Sequence, residues 1–151
     1  MTMRTTVQLH WLNIDNRAHA YTFYKQHMPY AQLTKKEKLA VFFPEITSTD
    51  ESHKTEVIAA IRLRPIGVYT LVTGMLIHPN YRGQGLGHQL MKMVSHELID
   101  ERSFLFALPH LANFYQQHGF HQCQNVPNDI RQLFNKYDRE DKPLCLMVFR
   151  G

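Results

Sequence analysis

Three closely spaced glycines near the middle of the chain limit most sharply what this sequence can fold into. Residues 71–90 read LVTGMLIHPNYRGQGLGHQL, so a β-rich run ends at a His-Pro pair, a glycine-rich loop follows, and an amphipathic helix pattern begins. Without Cβ atoms, the backbone N–H groups of such a loop can approach an anion closely. The N-terminus of the next helix adds unpaired donors and the positive end of its dipole. The segment therefore predicts a cradle for a phosphate group, in particular a pyrophosphate.

Two other phosphate-binding loops do not fit these residues. A P-loop requires G-x-x-x-x-G-K-[ST], but Gly87 is followed by His88 and Gln89, so the lysine and the hydroxyl are missing. A Rossmann fingerprint requires G-x-G-x-x-G early in a βαβ unit. Here the spacing is G-x-G-x-G and the motif lies near the middle of the chain. Both alternatives are excluded.

Apolar periodicity on both sides of the loop predicts the remaining elements. Runs rich in β-branched and aromatic residues indicate strands, and apolar residues at helical spacing indicate helices. The predicted strands cover residues 6–11, 39–43, 56–63, 69–77, 103–108, 120–124 and 144–149. The predicted helices cover residues 16–27, 86–99, 111–118 and 130–137, and a Thr34–Glu37 capping box predicts a further short helix after the first. This order, with three strands in succession before the loop, favours an α+β protein with a central sheet.

Three helix ends and one loop are also predicted. Asp15 is a candidate N-cap for the first helix, and Asn128 is one for the last. Gly119 is a natural left-handed stop for the helix before it. The polar segment 45–54 is typical of a hairpin loop.

Length and composition favour one folded domain over residues 1–151. A chain of 151 residues suits one hydrophobic core, and 44% apolar with 20% charged residues is ordinary for a globular protein. The N-terminal residues show no signal-peptide pattern, and no apolar run is long enough to cross a bilayer. We therefore expect a cytoplasmic protein that does not bind membranes. Cys123 and Cys145 are expected to be reduced thiols that pack as small hydrophobes.

The charge pattern favours an anionic ligand over nucleic acid or a metal. The formal net charge is +4, but the basic residues are scattered and the longest basic run is the Lys35–Lys36 pair. Scattered charge is typical of a solvated surface, so nucleic-acid binding ranks last. The chain has ten histidines, yet no H-E-x-x-H motif and no zinc-type Cys/His cluster. No metal is expected.

Two blocks of sequence together resemble the GNAT N-acetyltransferase superfamily. Arg82, Gly85 and Gly87, preceded by I-H-P, match the family's acetyl-CoA signature [QR]-x-x-G-x-[GA]. The segment N-F-Y-Q-Q-H-G-F at residues 113–120 resembles the family's F-Y-x-x-x-G-F block, in the expected order and separation. The resemblance implies a GNAT-like α+β fold, with a central mixed, mostly antiparallel sheet of about seven strands flanked by helices in a single domain.

The resemblance also implies acetyl-CoA as co-substrate and a set of site residues. The strand end before the loop would hold pantetheine and the thioester through its main chain, and the loop would hold the pyrophosphate with help from the first helical turn. Tyr115 matches the family's general acid, because tyrosine stays protonated at neutral pH and can donate to the departing sulfur. The residues implied to bind the co-substrate are Met75, Leu76, Ile77, Arg82, Gly83, Gln84, Gly85, Leu86, Gly87 and His88.

The sequence departs from the family pattern in two places. Many members carry an asparagine where this chain has Leu108, and many carry a glutamate base on the strand before the loop, where residues 69–77 contain no acid. Glu56, His78 and His110 are open candidates for the base, none favoured by spacing. A non-catalytic acyl-CoA sensor or partner module of the same fold is therefore the alternative to an N-acetyltransferase.

The acceptor and the oligomeric state stay open at this stage. The expected acceptor is a small-molecule or peptide amine, and a homodimer is allowed by the sequence. The helix at 130–137 is expected to cover the core, with a cover over the acceptor site as the second hypothesis.

Overall fold

The computed structural model describes residues 6–45 and 56–151. Within those ranges the chain forms seven strands and four α-helices. The strands are β1 (Val7–Leu12), β2 (Lys38–Pro44), β3 (Ala59–Ile66), β4 (Tyr69–Ile77), β5 (Ser103–Ala107), β6 (Phe120–Gln122) and β7 (Cys145–Phe149). The helices are α1 (Ala18–His27), α2 (Leu86–Val94), α3 (Ala112–Gln116) and α4 (Asn128–Tyr137).

The seven strands form one mixed sheet in the order β1-β2-β3-β4-β5-β7-β6. Strands β4 and β5 pair in parallel through Thr70↔Ser103, Leu71↔Phe104 and Val72↔Leu105. Antiparallel ladders join β1 to β2, β5 to β7 and β6 to β7. The predicted α+β class and the predicted number of strands are confirmed.

The contacts of the chain divide it into two compact units. The first unit is Met1–Arg62 with Gly74–Val94, and the second is Leu63–Thr73 with Ser95–Gly151. The glycine loop therefore belongs to the first unit and Tyr115 to the second. The assignment of residues 1–151 to a single domain stays a prediction.

The core of the first unit lies between helix α1 and strands β1 to β4. Apolar residues of α1 and of the strands repeat with the spacing that buries one helix face and one sheet face. The buried members of this core are Leu12, Ala20, Phe23, Tyr24, Leu39, Val41, Val57, Ala60 and Leu76.

In the second unit, helix α4 packs on one face of the sheet. Ile130 and Phe134 are its buried residues, and the Phe134 ring lies edge-on to Phe106 of β5 at a centroid distance of 5.3 Å. On the other side of the strands, Tyr115 of α3 contacts Phe120 of β6, with ring centroids 6.2 Å apart. Helix α4 therefore covers a hydrophobic core, as the first of the two hypotheses for it predicts.

The short helix predicted from the Thr34–Glu37 capping box does not form. The Thr34 N–H does donate to Glu37 Oε2 at 2.5 Å, which is half of the capping-box pattern. However, Glu37 is only 1% exposed, its other oxygen pairs with Arg62, and β2 begins at the next residue. The glutamate thus serves a tertiary ion pair rather than a helix.

Several other predicted boundaries need correction. Asn13, not Asp15, supplies the first cap, since its Oδ1 accepts from the N–H groups of residues 15 and 16 in a 3-10 turn before α1. Asn128 is the first residue of α4 rather than its cap, and Pro127 holds the cap position without a side-chain bond.

Helix α2 also ends earlier than predicted. It stops at Val94 and is followed by a 3-10 turn at Ser95–Glu97. The Ile99 N–H, which the prediction placed inside the helix, instead donates to the Ser103 hydroxyl at 3.0 Å. The left-handed Gly119 is confirmed, with φ of 89°. The predicted hairpin loop at 45–54 lies almost wholly outside the described residues. In the described part of the chain, no helix has the length and apolarity that a membrane crossing requires.

Candidate functional site

The glycine loop joins the end of β4 to the start of α2. Gly83 and Gly85 both have positive φ, at 82° and 78°, which side chains with a Cβ rarely adopt. Both residues are exposed, and a Cβ added to either one would meet no atom within 4 Å. The space above these two backbone positions is therefore open to a ligand.

The start of α2 supplies hydrogen-bond donors to the same loop. The first intrahelical bond there runs from the Gln89 N–H to the Gly85 carbonyl, at 3.1 Å. The N–H groups of Leu86 and Gly87 have no carbonyl four positions back within the helix, and the helix dipole is positive at this end. Leu86 is buried and anchors the turn, while His88 is exposed in the first helical turn. This geometry fits a pyrophosphate.

The end of β4 presents main-chain groups on two sides. The His78 N–H donates to the Ile58 C=O at 2.8 Å. Along a strand, the main-chain N–H and C=O groups of successive residues point to alternate sides, so those of Ile77 point away from Ile58. The Ile77 carbonyl indeed accepts from Arg82 Nε at 3.1 Å. The Arg82 side chain thus folds back onto the strand end, and the Ile77 N–H shares the direction of that carbonyl. Leu76 is buried, whereas Met75 and Ile77 are half-buried.

A left-handed glycine interrupts β4 just before these residues. Gly74 has φ of 68° inside the strand, so the extended backbone breaks there. A Cβ at this position would lie 2.6 Å from Arg62 Cδ and 3.2 Å from the Tyr24 hydroxyl oxygen. Sequence reasoning missed this site, although a glycine within a strand pattern is a known signal of a bulge or a close backbone approach.

Two of the candidate bases, Glu56 and His78, lie close together beside the loop. His78 Nδ1 accepts from the Asn80 N–H at 3.0 Å, so neutral His78 carries its proton on Nε2, which lies 3.7 Å from Glu56 Oε1. The imidazole therefore has its only lone pair engaged in the turn. His78 is a cap for the Pro79–Tyr81 turn rather than a group ready to accept a proton.

The His27 ring at the end of α1 packs against His78, with centroids 4.8 Å apart. Burial lowers the pKa of His27, and the neighbouring His78 and Arg82 lower it further. His27 is consequently favoured in its neutral form near the loop. Sequence reasoning gave no signal for this contact, because α1 and the loop are far apart in the chain.

Tyr115, the predicted general acid, lies in α3 of the second unit. It is 7% exposed and contacts the Phe114 ring at a centroid distance of 5.0 Å. Burial raises the pKa of Tyr115 to about 12. The phenol therefore stays protonated across the neutral range, as an acid requires. His110 is exposed in the 3-10 turn before α3, and Leu108, at the family's asparagine position, is 46% exposed.

The two cysteines lie outside these regions. Cys123 and Cys145 are free and only half-buried, so the burial expected of small hydrophobic side chains is partial. That both thiols are reduced stays a prediction. Among the residues that the structure describes, no group of three histidine, cysteine or acidic side chains is arranged to hold a metal ion.

Comparison with known proteins agrees with the geometry of the loop. Residues 49–122 match the family described as acetyltransferase (GNAT) domain. One relative, an uncharacterized N-acetyltransferase ycf52-like protein of Prochlorococcus marinus, is 41% identical over 56 residues, which are 35% of this chain and 31% of that protein. The match thus spans about a third of the length of this curated relative.

Several solved structures have a similar fold over nearly the whole of this chain. Escherichia coli ElaA has a TM-score of 0.64 and 19% identity, over 97% of this chain and 100% of that one. Arabidopsis thaliana Naa50, solved with the bisubstrate analogue CoA-Ac-MVNAL, has a TM-score of 0.61 and 16% identity, over 96% and 98% of the two chains. The resemblance to the GNAT superfamily predicted from the glycine loop is therefore confirmed in family match and in fold.

Proposed function

We propose that this protein is an acetyl-CoA-dependent N-acetyltransferase that transfers the acetyl group to a primary amine by direct attack within a ternary complex. The observation that carries the proposal is the glycine loop. Gly83 and Gly85 expose their backbone at positive φ, in open space, at the positive end of α2. Coenzyme A brings a pyrophosphate that such a loop would hold, largely through main-chain N–H groups.

The reaction makes one bond and breaks one bond at the thioester carbon. The amine nitrogen attacks the carbonyl carbon, the C–S bond of the tetrahedral intermediate then breaks, and coenzyme A leaves as a thiolate. Tyr115 is assigned as the acid that protonates the sulfur, which its raised pKa of about 12 supports, since the phenol is protonated at neutral pH. A main-chain N–H at the end of β4 would stabilise the oxyanion.

The amine must lose a proton before or during attack. With the His78 lone pair engaged by the Asn80 N–H, Glu56 is the better candidate of the pair to accept that proton through water. A peptide N-terminus is the first acceptor to test, because the similar Naa50 was solved with a peptide-bearing coenzyme A analogue. Small-molecule amines are the second group.

Binding tests the loop first. Titration calorimetry of the wild type with acetyl-CoA and CoA is expected to show saturable binding. Gly85→Ala is expected to stay folded, because its Cβ would meet no protein atom within 4 Å, but to bind CoA at least about ten-fold more weakly, because the methyl group occupies the ligand's space. No heat from the wild type at millimolar CoA would overturn the proposal.

Turnover then tests the acid and separates the enzyme from a non-catalytic sensor. Release of the CoA thiol is measured with a panel of peptides and small amines. Tyr115→Phe is expected to lower kcat by about 10²- to 10⁴-fold, the range for a general acid, and to leave CoA binding nearly unchanged. Tyr137→Phe, an exposed tyrosine of the same unit, is the control and should retain full activity. CoA binding by the wild type without turnover on any amine would favour the sensor.

A further inference from the structure

A buried polar network in the first unit converges on Gly74, the left-handed residue of β4. The Tyr24 hydroxyl donates to the Gly74 carbonyl at 2.7 Å, and Tyr24 is only 1% exposed. The Arg62 stem lies against the α-carbon of Gly74 so closely that any side chain there would collide with it. Two side chains from separate elements thus fix the backbone of one residue.

The Arg62 side chain is itself held in place by a buried ion pair. Its Nε donates to Glu37 Oε1 at 2.9 Å, and its Nη2 donates to the same oxygen and to the Gln32 carbonyl. Glu37 accepts from the Thr34 N–H through its other oxygen. Arg62 is 7% exposed and Glu37 is 1% exposed.

The segment between α1 and β2 is tied into the same network. Arg17, 6% exposed at the start of α1, donates to the Thr34 carbonyl at 2.9 Å and also to the Glu37 carbonyl. The connection therefore runs from α1, through residues 32–37 and β3, to the left-handed residue of β4. The side chains of Tyr24, Glu37 and Arg62 are buried, whereas Gln32 and Thr34, which contribute main-chain groups, are exposed.

A buried polar network of this kind contributes less to the free energy of unfolding than apolar side chains of the same volume would. Burying an ion pair costs desolvation that apolar packing of the same volume avoids. A glycine inside a strand also weakens the strand, because it loses more conformational freedom on folding than other residues and has no side chain to pack. Both occur together here, directly before residues 75–77. The network therefore suggests selection for a defined backbone geometry at that point rather than for burial.

We infer that Tyr24 and Arg62 are positioning residues, which hold the Gly74 kink and thereby the main chain of residues 75–77 in the form that binds the acyl-CoA arm. The inference rests on the proposed function and adds to it two residues that do not touch the reacting atoms. The two side chains restrict the conformations that the main chain of residues 75–77 can adopt. They therefore affect the affinity for acyl-CoA rather than the rate of the chemical step.

Tyr24→Phe is the sharpest test, because it removes one hydroxyl and keeps the buried ring. Amide hydrogen exchange of the ligand-free protein should accelerate at residues 75–77 and stay unchanged in β5. The Kd for CoA and the KM for acetyl-CoA should rise roughly five-fold, the factor expected for one lost buried hydrogen bond. The kcat at saturating acetyl-CoA should stay within about two-fold of the wild type.

Two controls separate positioning from a general loss of stability. Tyr21→Phe removes a hydroxyl from an exposed tyrosine of the same helix, and Ile130→Val removes a methylene from the core of the second unit. Both should leave the Kd for CoA and the exchange of residues 75–77 unchanged. If circular dichroism shows Tyr24→Phe to be unfolded, Glu37→Gln tests the Arg62 half of the network with the same measurements.

The possible results are distinguishable. Unchanged exchange at residues 75–77 in Tyr24→Phe, or faster exchange with an unchanged Kd, overturns the positioning role. A wild type that binds no CoA overturns the proposed function and, with it, any role of the network toward acyl-CoA. Faster exchange together with weaker binding supports the inference.

Discussion

Replacing Gly74 by alanine places a methyl group where the buried Arg62 side chain already lies. The new Cβ would stand 2.6 Å from Arg62 Cδ and 3.2 Å from both Arg62 Cγ and the Tyr24 hydroxyl oxygen. Arg62 cannot easily yield, because its guanidinium is bonded to the buried carboxylate of Glu37. The substitution therefore forces either the backbone or the ion pair to move.

The expected loss of stability has two parts. A left-handed conformation costs an alanine about 1–2 kcal/mol, and overpacking a filled site costs about 1–3 kcal/mol. Alanine also lowers the conformational entropy of the unfolded chain, which offsets roughly 0.4–1 kcal/mol of that loss. The net loss for Gly74→Ala is thus about 1–4.6 kcal/mol, which corresponds to a fall in Tm of roughly 2–18 °C for a chain of this size.

Urea unfolding monitored by circular dichroism and tryptophan fluorescence measures this loss. Gly83→Ala is the matched control, since Gly83 has φ of 82° but a Cβ there would meet nothing within 4 Å. It should lose only the strain part, about 0–1.6 kcal/mol after the unfolded-state gain. The same free energy of unfolding for both variants would refute the steric argument, and a Gly74→Ala protein as stable as the wild type would refute both parts.

Three further predictions follow from burial in the second unit. Phe134→Ala should cost about 3–5 kcal/mol in urea unfolding, because the ring fills the core beneath α4, and a loss under 1 kcal/mol would contradict that packing. Burial raises the pKa of Tyr115 from its unfolded value of 10.0 to about 12, so the stability it contributes is full below pH 10 and is lost as the pH rises toward 12. Between pH 9 and pH 12 the free energy of unfolding of Tyr115→Phe should therefore fall by roughly 2–3 kcal/mol less than that of the wild type. The same fall in both proteins, measured by equilibrium unfolding at the two pH values, would argue against the raised pKa. Burial also raises the pKa of the Cys123 thiol, so iodoacetamide at pH 8 should modify it more slowly than a peptide of residues 120–126, and equal rates by mass spectrometry would contradict its burial.

Much of the architecture could be predicted from local patterns. Strands β4, β5 and β7 lie within one residue of their predicted bounds, and helix α2 begins at its predicted residue, because their apolar periods match the faces they bury. The left-handed Gly119 also followed from the sequence, since it ends a helical pattern. Helix α4 was predicted with two hypotheses, and only its contacts with the sheet decided that it covers a core.

The glycine loop is the part of the candidate site that the sequence by itself determined. Its strand, glycines and helix are contiguous, so the order of residue types alone defines a phosphate cradle at the N-terminus of α2. The capping-box prediction failed for the opposite reason. Thr34 and Glu37 have the local pattern of a helix start, but the carboxylate bonds Arg62, 25 positions away.

Only the tertiary structure decided how the end of β4 is held. Tyr24 and Gly74 are 50 positions apart, and the hydrogen bond between them produces no periodic pattern in the sequence of either segment from which it could be predicted. Which buried donor meets which carbonyl depends on how strands and helices pack, because the desolvation of each group is offset only by the partner that the fold brings to it. The sequence thus specifies the loop, and packing specifies the strand geometry beside it.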